Sequence, residues 1–231
     1  MPKSKPREET KWRQDFFKDV EPIKLRDPLA YILGAQKEGE PFVFNYTDAV
    51  MLAGHSCPAV SGAYMVTLKA LKALYNDKLP IRGEIRVLIK GGPTDLAYGP
   101  QAQVISFITG ASGVTGFKGL GGAHGRNNKL AFDTKDVQFN QFIFQREDTG
   151  KAVRVTYDPQ ALPPQDERMS DLVPLVLRGI ASEEEKDLFI SIWQGNVRKI
   201  LLENEKYPGL FKVEEVKDFQ FPKPGKDSNT F

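Results

Sequence analysis

The sequence of 231 residues predicts an α+β fold, a mostly antiparallel sheet packed with one long central helix, plus a C-terminal helical appendage. Three observations predict it. From Pro58 to Tyr75, Val60, Tyr64, Leu68, Leu71 and Tyr75 recur at helical spacing, with Ala63 and Leu74 beside them and Lys69 and Lys72 on the opposite face. Between Gly83 and Lys90, Ile85, Val87 and Ile89 alternate with Glu84, Arg86 and Lys90, the period of a half-buried strand. Gln103 to Thr109, Lys129 to Phe132, Phe139 to Phe144 and Ala152 to Tyr157 read as four more strands, and Asp148-Thr149-Gly150 is the tight hairpin among them.

Taken in order, residues 1–20 are charged and read as a flexible N-terminal tail, in which Trp12, Phe16 and Phe17 can dock as one amphipathic turn. Residues 21–157 form the α+β core domain. Its first helix starts at Asp27-Pro28, an N-cap followed by proline at the first helical position, and Gly34 or Gly39 ends it. Phe42-Val43-Phe44 is strand-like, and Thr47 or Asp48 caps a short helix that Gly54 stops. Residues 158–231 are a linker and a C-terminal helical segment: three prolines lie between Asp158 and Asp166, Ser182 and Glu185 form a capping box, and Leu188, Ile192, Val197, Ile200 and Leu201 continue a helix to about Asn204. Phe211 to Phe221 can add one more strand before a polar end, Pro222 to Phe231.

Composition narrows the function classes. Lys and Arg number 32 against 30 Asp and Glu, without a basic stripe, which argues against a nucleic-acid partner. No run approaches the roughly 20 apolar residues of a membrane-spanning helix, and the basic, polar start reads neither as a secretion signal nor as an anchor. The single cysteine makes no intramolecular disulfide, so the fold does not depend on an oxidising compartment, and a cytoplasmic location is the expectation.

His55-Ser56-Cys57-Pro58 holds the only cysteine and one of only two histidines, so transition-metal or thiolate chemistry centres here. Pro58 suits the first helical position, which makes Cys57 the N-cap of the long helix and sets its sulfur near free backbone N–H groups that favour thiolate. A buried, inert thiol is the plainer alternative. His124, the second histidine, falls in a stretch with seven of the 20 glycines between Gly110 and Gly125. That stretch lacks the glycine patterns of phosphate loops, so it reads as a surface turn or as a loop over a site. His55, Cys57 and His124 are the one soft three-ligand set available within a single chain, the ligand number of a catalytic zinc site. Cys57 and Asp95 are the catalytic candidates, Asp95 as a hard ligand, a general base or an Asx-turn residue. Tyr98, Lys118 and Arg126 are the donors for an anionic or carbonyl substrate.

Ala53-Gly54-His55-Ser56-Cys57-Pro58-Ala59-Val60-Ser61-Gly62-Ala63-Tyr64 is similar to the G-H-x-C-P…G-[YA] signature of the FmdE-like proteins, named after a component of formylmethanofuran dehydrogenase. The likeness runs from about Phe44 to about Phe132. The resemblance implies an α+β core, often a homodimer, with a metal, typically zinc, near the signature histidine and cysteine, here His55 and Cys57. Many relatives carry a T-G-C-T-like turn where this chain reads Thr109-Gly110-Ala111-Ser112, which removes one possible ligand.

The expected function is therefore a small-molecule site in which His55 and Cys57 hold zinc or another divalent transition metal. Its chemistry would be that of a metal-dependent hydrolase or lyase, or of an accessory to an oxidoreductase. One alternative is a haem protein with Cys57 or a histidine as axial ligand. Another is a metal-free interaction module that makes contact through Phe189 and Trp193 of the C-terminal helix.

Overall fold

The computed structural model describes residues 8–223, so residues 1–7 and 224–231 of the expected tail and polar end lie outside the described residues. The fold is α+β. Its main sheet has the order β4-β3-β5-β6-β7, built from β3 (Ile85–Ile89), β4 (Leu130–Phe132), β5 (Gln141–Arg146), β6 (Ala152–Tyr157) and β7 (Phe211–Val216). Only the β3–β4 pair is parallel; the other three are antiparallel. A second, two-stranded sheet pairs β1 (Ile23–Leu25) with β2 (Phe42–Phe44).

Alternation along the strands decides which face the helices cover. Ile85, Val87 and Ile89 of β3, Phe142 and Phe144 of β5, and Val153, Val155 and Tyr157 of β6 are buried on the inner face, the period-two pattern of an amphipathic sheet. Against them lies α3 (Pro58–Tyr75), whose thirteen buried residues out of 18 mark a helix enclosed on nearly all sides. Tyr157 reaches the helix where Gly62 leaves room: a Cβ there would overlap the Tyr157 ring. The outer face carries Leu88, Ile143 and Ala152, sheltered by Phe219 and Phe221 from the C-terminal end.

Local chemistry accounts for the ends of the elements. Asp27 caps α1 (Pro28–Ile32), accepting from the N–H groups of Leu29 and Ala30. The helix α2 (Tyr46–Ala53) begins at an Asn45–Asp48 capping box, earlier than the expected cap, and stops at Gly54 in the left-handed region, φ 74°. The hairpin at Asp148-Thr149-Gly150 joins β5 to β6, with Gly150 at φ 71° and its N–H donated to Arg146.

One expected strand is a helix. Gln103–Thr109 belongs to α4 (Tyr98–Thr109), whose buried Tyr98, Gln101, Ala102, Val104, Ile105 and Ile108 follow a helical period that begins before the β-branched stretch. Two further elements carry no strong sequence signal. The first is β1; the second is α5 (Met169–Leu177), nine residues long with Pro174 inside it.

The two ends of the chain are tied into this core. Phe16, Phe17 and Val20 are buried, and Trp12 and Phe16 both meet Phe17 edge-on, so the described part of the 1–20 segment packs against the protein. The helix α6 (Glu183–Leu202) starts at the Ser182–Glu185 capping box and buries Val197, Ile200 and Leu201 in the main core. No helix among the described residues is long and apolar enough to cross a membrane.

Candidate functional site

The turn between α2 and α3 carries the histidine and the cysteine. Gly54 reverses the chain at its left-handed cap, and Pro58 restarts a helix at once, so His55, Ser56 and Cys57 are the whole connection. Cys57 is the N-cap of α3 in an extended conformation, and its side chain makes no capping hydrogen bond. The expected contact of sulfur with the first N–H groups of the helix is therefore absent, and the half-buried thiol is left to other partners. The backbone carbonyl of Cys57 accepts instead from Ser61, from both N–H at 3.0 Å and Oγ at 2.9 Å.

His55 is exposed, with Nδ1 at 2.9 Å from the carbonyl oxygen of Ala53. A carbonyl oxygen only accepts, so Nδ1 holds a proton, and in the neutral ring the lone pair lies on Nε2. Hydrogen bonding of one ring nitrogen in this way fixes which nitrogen can ligate.

Two buried tyrosines flank the cysteine. The Tyr46 hydroxyl lies 2.9 Å from Ser56 Oγ, and because Ser56 donates its own proton to Gln194 Oε1, Tyr46 is the donor. Tyr157 donates to the carbonyl of Pro58 at 3.1 Å. Burial raises both phenols well above their ordinary value, and the neighbouring Cys57 pushes each further up. Both stay protonated at neutral pH and act here as donors. From the far end of the sequence, α6 brings Trp193 and Gln194, whose side-chain N–H groups both meet the carbonyl of Ser56, at 2.9 and 3.3 Å.

The other sequence candidates fall elsewhere or are already engaged. Asp95 is exposed and closes the turn after β3, its Oδ2 accepting the Gly92 N–H at 2.7 Å. Tyr98 is buried, and its hydroxyl donates to Gln138 and accepts from Asn140, so the substrate-donor role meets a group already saturated. Lys118, His124 and Arg126 belong to the glycine-rich loop, which leaves the C-terminal end of α4.

His124 sits in the left-handed region at φ 58° and lines a cavity of about 360 Å³ with Arg82, Glu84, Arg126 and Glu147. That cavity is at the C-terminal end of α3, where Arg146, the neighbour of Glu147, donates to the carbonyl of Leu74. Neither His55 nor Cys57 is among the residues that line the cavity. The three-ligand set is not assembled within the chain, and no group of three His, Cys, Asp or Glu fit for a metal occurs among the described residues.

Arg126 has a structural task at that end. Its guanidinium and that of Arg82 converge on buried Asp27, at 2.8 and 3.1 Å, and the Arg126 head lies so close to Gly83 that a Cβ there would overlap it. Burial alone would raise the Asp27 carboxyl, yet Arg126, Arg82 and the Ala30 N–H outweigh it and hold the group below its ordinary value.

The site residues that sequence reasoning missed are Tyr46, Ser56, Tyr157, Trp193 and Gln194. The available signal is Trp193: a large ring with one N–H donor on an amphipathic helix needs an acceptor when it is covered.

Comparison with known proteins gives this arrangement a family. No curated protein matches the chain. Among solved structures it is similar to the crystal structure of a tungsten formylmethanofuran dehydrogenase FmdE-like protein from Syntrophus aciditrophicus, at 17% identity over 79% of each chain with a TM-score of 0.39. The family described as FmdE, molybdenum formylmethanofuran dehydrogenase operon, matches residues 52–207, a span that takes in the His55–Cys57 turn, the glycine-rich loop and all of α6. With about two-thirds of its length matched, the chain belongs to the FmdE family.

Proposed function

We propose that this FmdE-family protein binds a divalent transition metal, zinc foremost, through His55 Nε2 and Cys57 Sγ, and uses it in a small-molecule site. The observation that supports it most is the state of the two donors. The Nδ1 proton of His55 is committed to Ala53, and the Cys57 sulfur is not spent on its helix, so each presents a free lone pair from one short turn. Imidazole and thiolate together suit zinc and its neighbours rather than calcium or magnesium.

When bound, the ion would lower the pKa of a coordinated water or polarise a substrate carbonyl. The chain supplies the rest. Pro58, Ser61 and Tyr157 hold the first turn of α3, and the exposure of His55 leaves the outer side of the site open to solvent and ligand. With two protein ligands, the remaining positions belong to water and to the bound small molecule. In an enzyme this is the arrangement of metal-dependent hydrolysis or lyase chemistry; in an oxidoreductase accessory it is a docking point for the same ligand.

The reading includes a homodimer. Met51 and Leu52 of α2 and Val114 of the glycine-rich loop are exposed, and Leu52 shares a cavity of about 450 Å³ with Phe107 and Leu130. Sedimentation velocity is expected to show a dimer that Leu52→Glu converts to monomer; a monomeric wild-type protein would contradict this part.

Metal content tests the central part. Untagged protein is expected to carry close to one ion per chain and Cys57→Ala almost none. Wild-type protein with less than about 0.2 ion per chain, unchanged in Cys57→Ala, would refute it.

A further inference from the structure

We infer that Trp193 and Gln194 of α6 are positioning residues for the His55–Cys57 pair, so that the C-terminal helix is a working part of the site. The inference rests on the metal-site reading for its purpose, and on the hydrogen bonds around Ser56 for its substance. The carbonyl of Ser56 accepts from Trp193 Nε1 at 2.9 Å and from Gln194 Nε2 at 3.3 Å, which uses both of its lone pairs. The hydroxyl of the same residue donates to Gln194 Oε1 at 3.2 Å and accepts from Tyr46. Gln194 thus reads the backbone and the side chain of Ser56 with the two halves of one amide.

The placement of these contacts is what gives them a role beyond packing. Ser56 is the residue between the two donors, and its carbonyl belongs to the peptide plane that leads directly into Cys57. Fixing that plane fixes the direction in which the Cys57 side chain leaves the backbone and the spacing between Sγ and the imidazole. None of the four hydrogen bonds lands on His55 or on Cys57. The clamp orients the pair and leaves both donors free.

The grip is also anchored. Trp193 stacks on Phe189 one turn earlier, at 5.7 Å between ring centres, and Val197 one turn later is fully buried in the core. The side of α6 that carries Phe189, Trp193 and Val197 is therefore the side held against the protein, and Trp193 is turned toward the site rather than offered to a partner.

Because Cys57 is the only cysteine, a thiol reagent reports on this position alone, with or without metal. Trp193→Phe keeps an aromatic ring, though a smaller one, and removes the N–H; Gln194→Leu keeps roughly the size and removes both halves of the amide. Each is expected to weaken Co²⁺ binding about tenfold or more, as loss of a partner that orients a ligand does, and to change the rate of Cys57 alkylation in metal-free protein. Val197→Ala serves as the control, since it loosens α6 in the core without touching Ser56, and it is expected to lower the melting temperature while leaving both readouts in place. Wild-type cobalt affinity and alkylation rate in both site variants would overturn the inference, as would a Val197→Ala effect of equal size. Wild-type protein that takes up no cobalt would sink the metal reading, and the alkylation rates would still decide the positioning role.

Discussion

Cys57 and Asp27 are both helix N-caps, of α3 and of α1, and the fold treats them differently. Cys57 sits at a helix N-terminus yet makes no capping bond, whereas Asp27 gives both oxygens to fixed partners, two backbone N–H groups and two arginines. Asp27→Ala is expected to cost about 3–5 kcal/mol, because it leaves Arg82 and Arg126 facing each other without a counter-charge. The sign of the pH dependence follows from the lowered carboxyl pKa. A depressed folded value means that the contribution is complete above the ordinary value of 3.8 and is lost as pH falls through the lower folded one. Urea unfolding of wild type and Asp27→Ala is thus expected to give a gap that is constant near neutrality and closes in acid; a gap that persists in acid would contradict the assignment. Tyr157→Phe is expected to cost about 1 kcal/mol through the lost bond to Pro58, read as a matching drop in unfolding free energy.

At the scale of elements, α3 is readable from sequence because Pro58 and the apolar period agree with each other along its whole length. The helix α4 is not, because Val104, Ile105, Phe107 and Ile108 are common in strands and a short apolar window has no decisive period. Only with Tyr98, Gln101 and Ala102 included does the helical face emerge. In α5, Pro174 hides a nine-residue helix by suggesting a break. The candidate site divides along the same line. His55 and Cys57 are neighbours in sequence and announce themselves, but the donors that fix their turn lie in α2, β6 and α6, up to 138 residues away. No spacing rule connects them. A close approach between α3 and β6 lies at Gly62, and Gly62→Ala is expected to cost about 1–3 kcal/mol by forcing the Tyr157 ring away from α3. Ser182→Ala, which removes half of the α6 capping box, is expected to cost about 1 kcal/mol; thermal melts of the two variants check both figures.

For the whole molecule, the expected division into a core and a C-terminal segment meets a fold in which the chain's second half closes the first. The strand β7 pairs with β6 along Phe211 to Val216, and α6 supplies core residues as well as the Ser56 clamp. Deleting residues 158–231 would uncover the β6 edge and the inner face that Val197, Ile200 and Leu201 fill. The truncated chain is expected to aggregate or lose its cooperative unfolding; a folded, metal-loaded fragment would contradict this view of the molecule. X-ray absorption at the zinc edge of the loaded protein is the most direct test of the site itself. One sulfur at about 2.3 Å and one imidazole nitrogen at about 2.0–2.1 Å, with the sulfur shell missing from Cys57→Ser, is the predicted result; a shell of oxygen and nitrogen alone, identical in the two proteins, would contradict it.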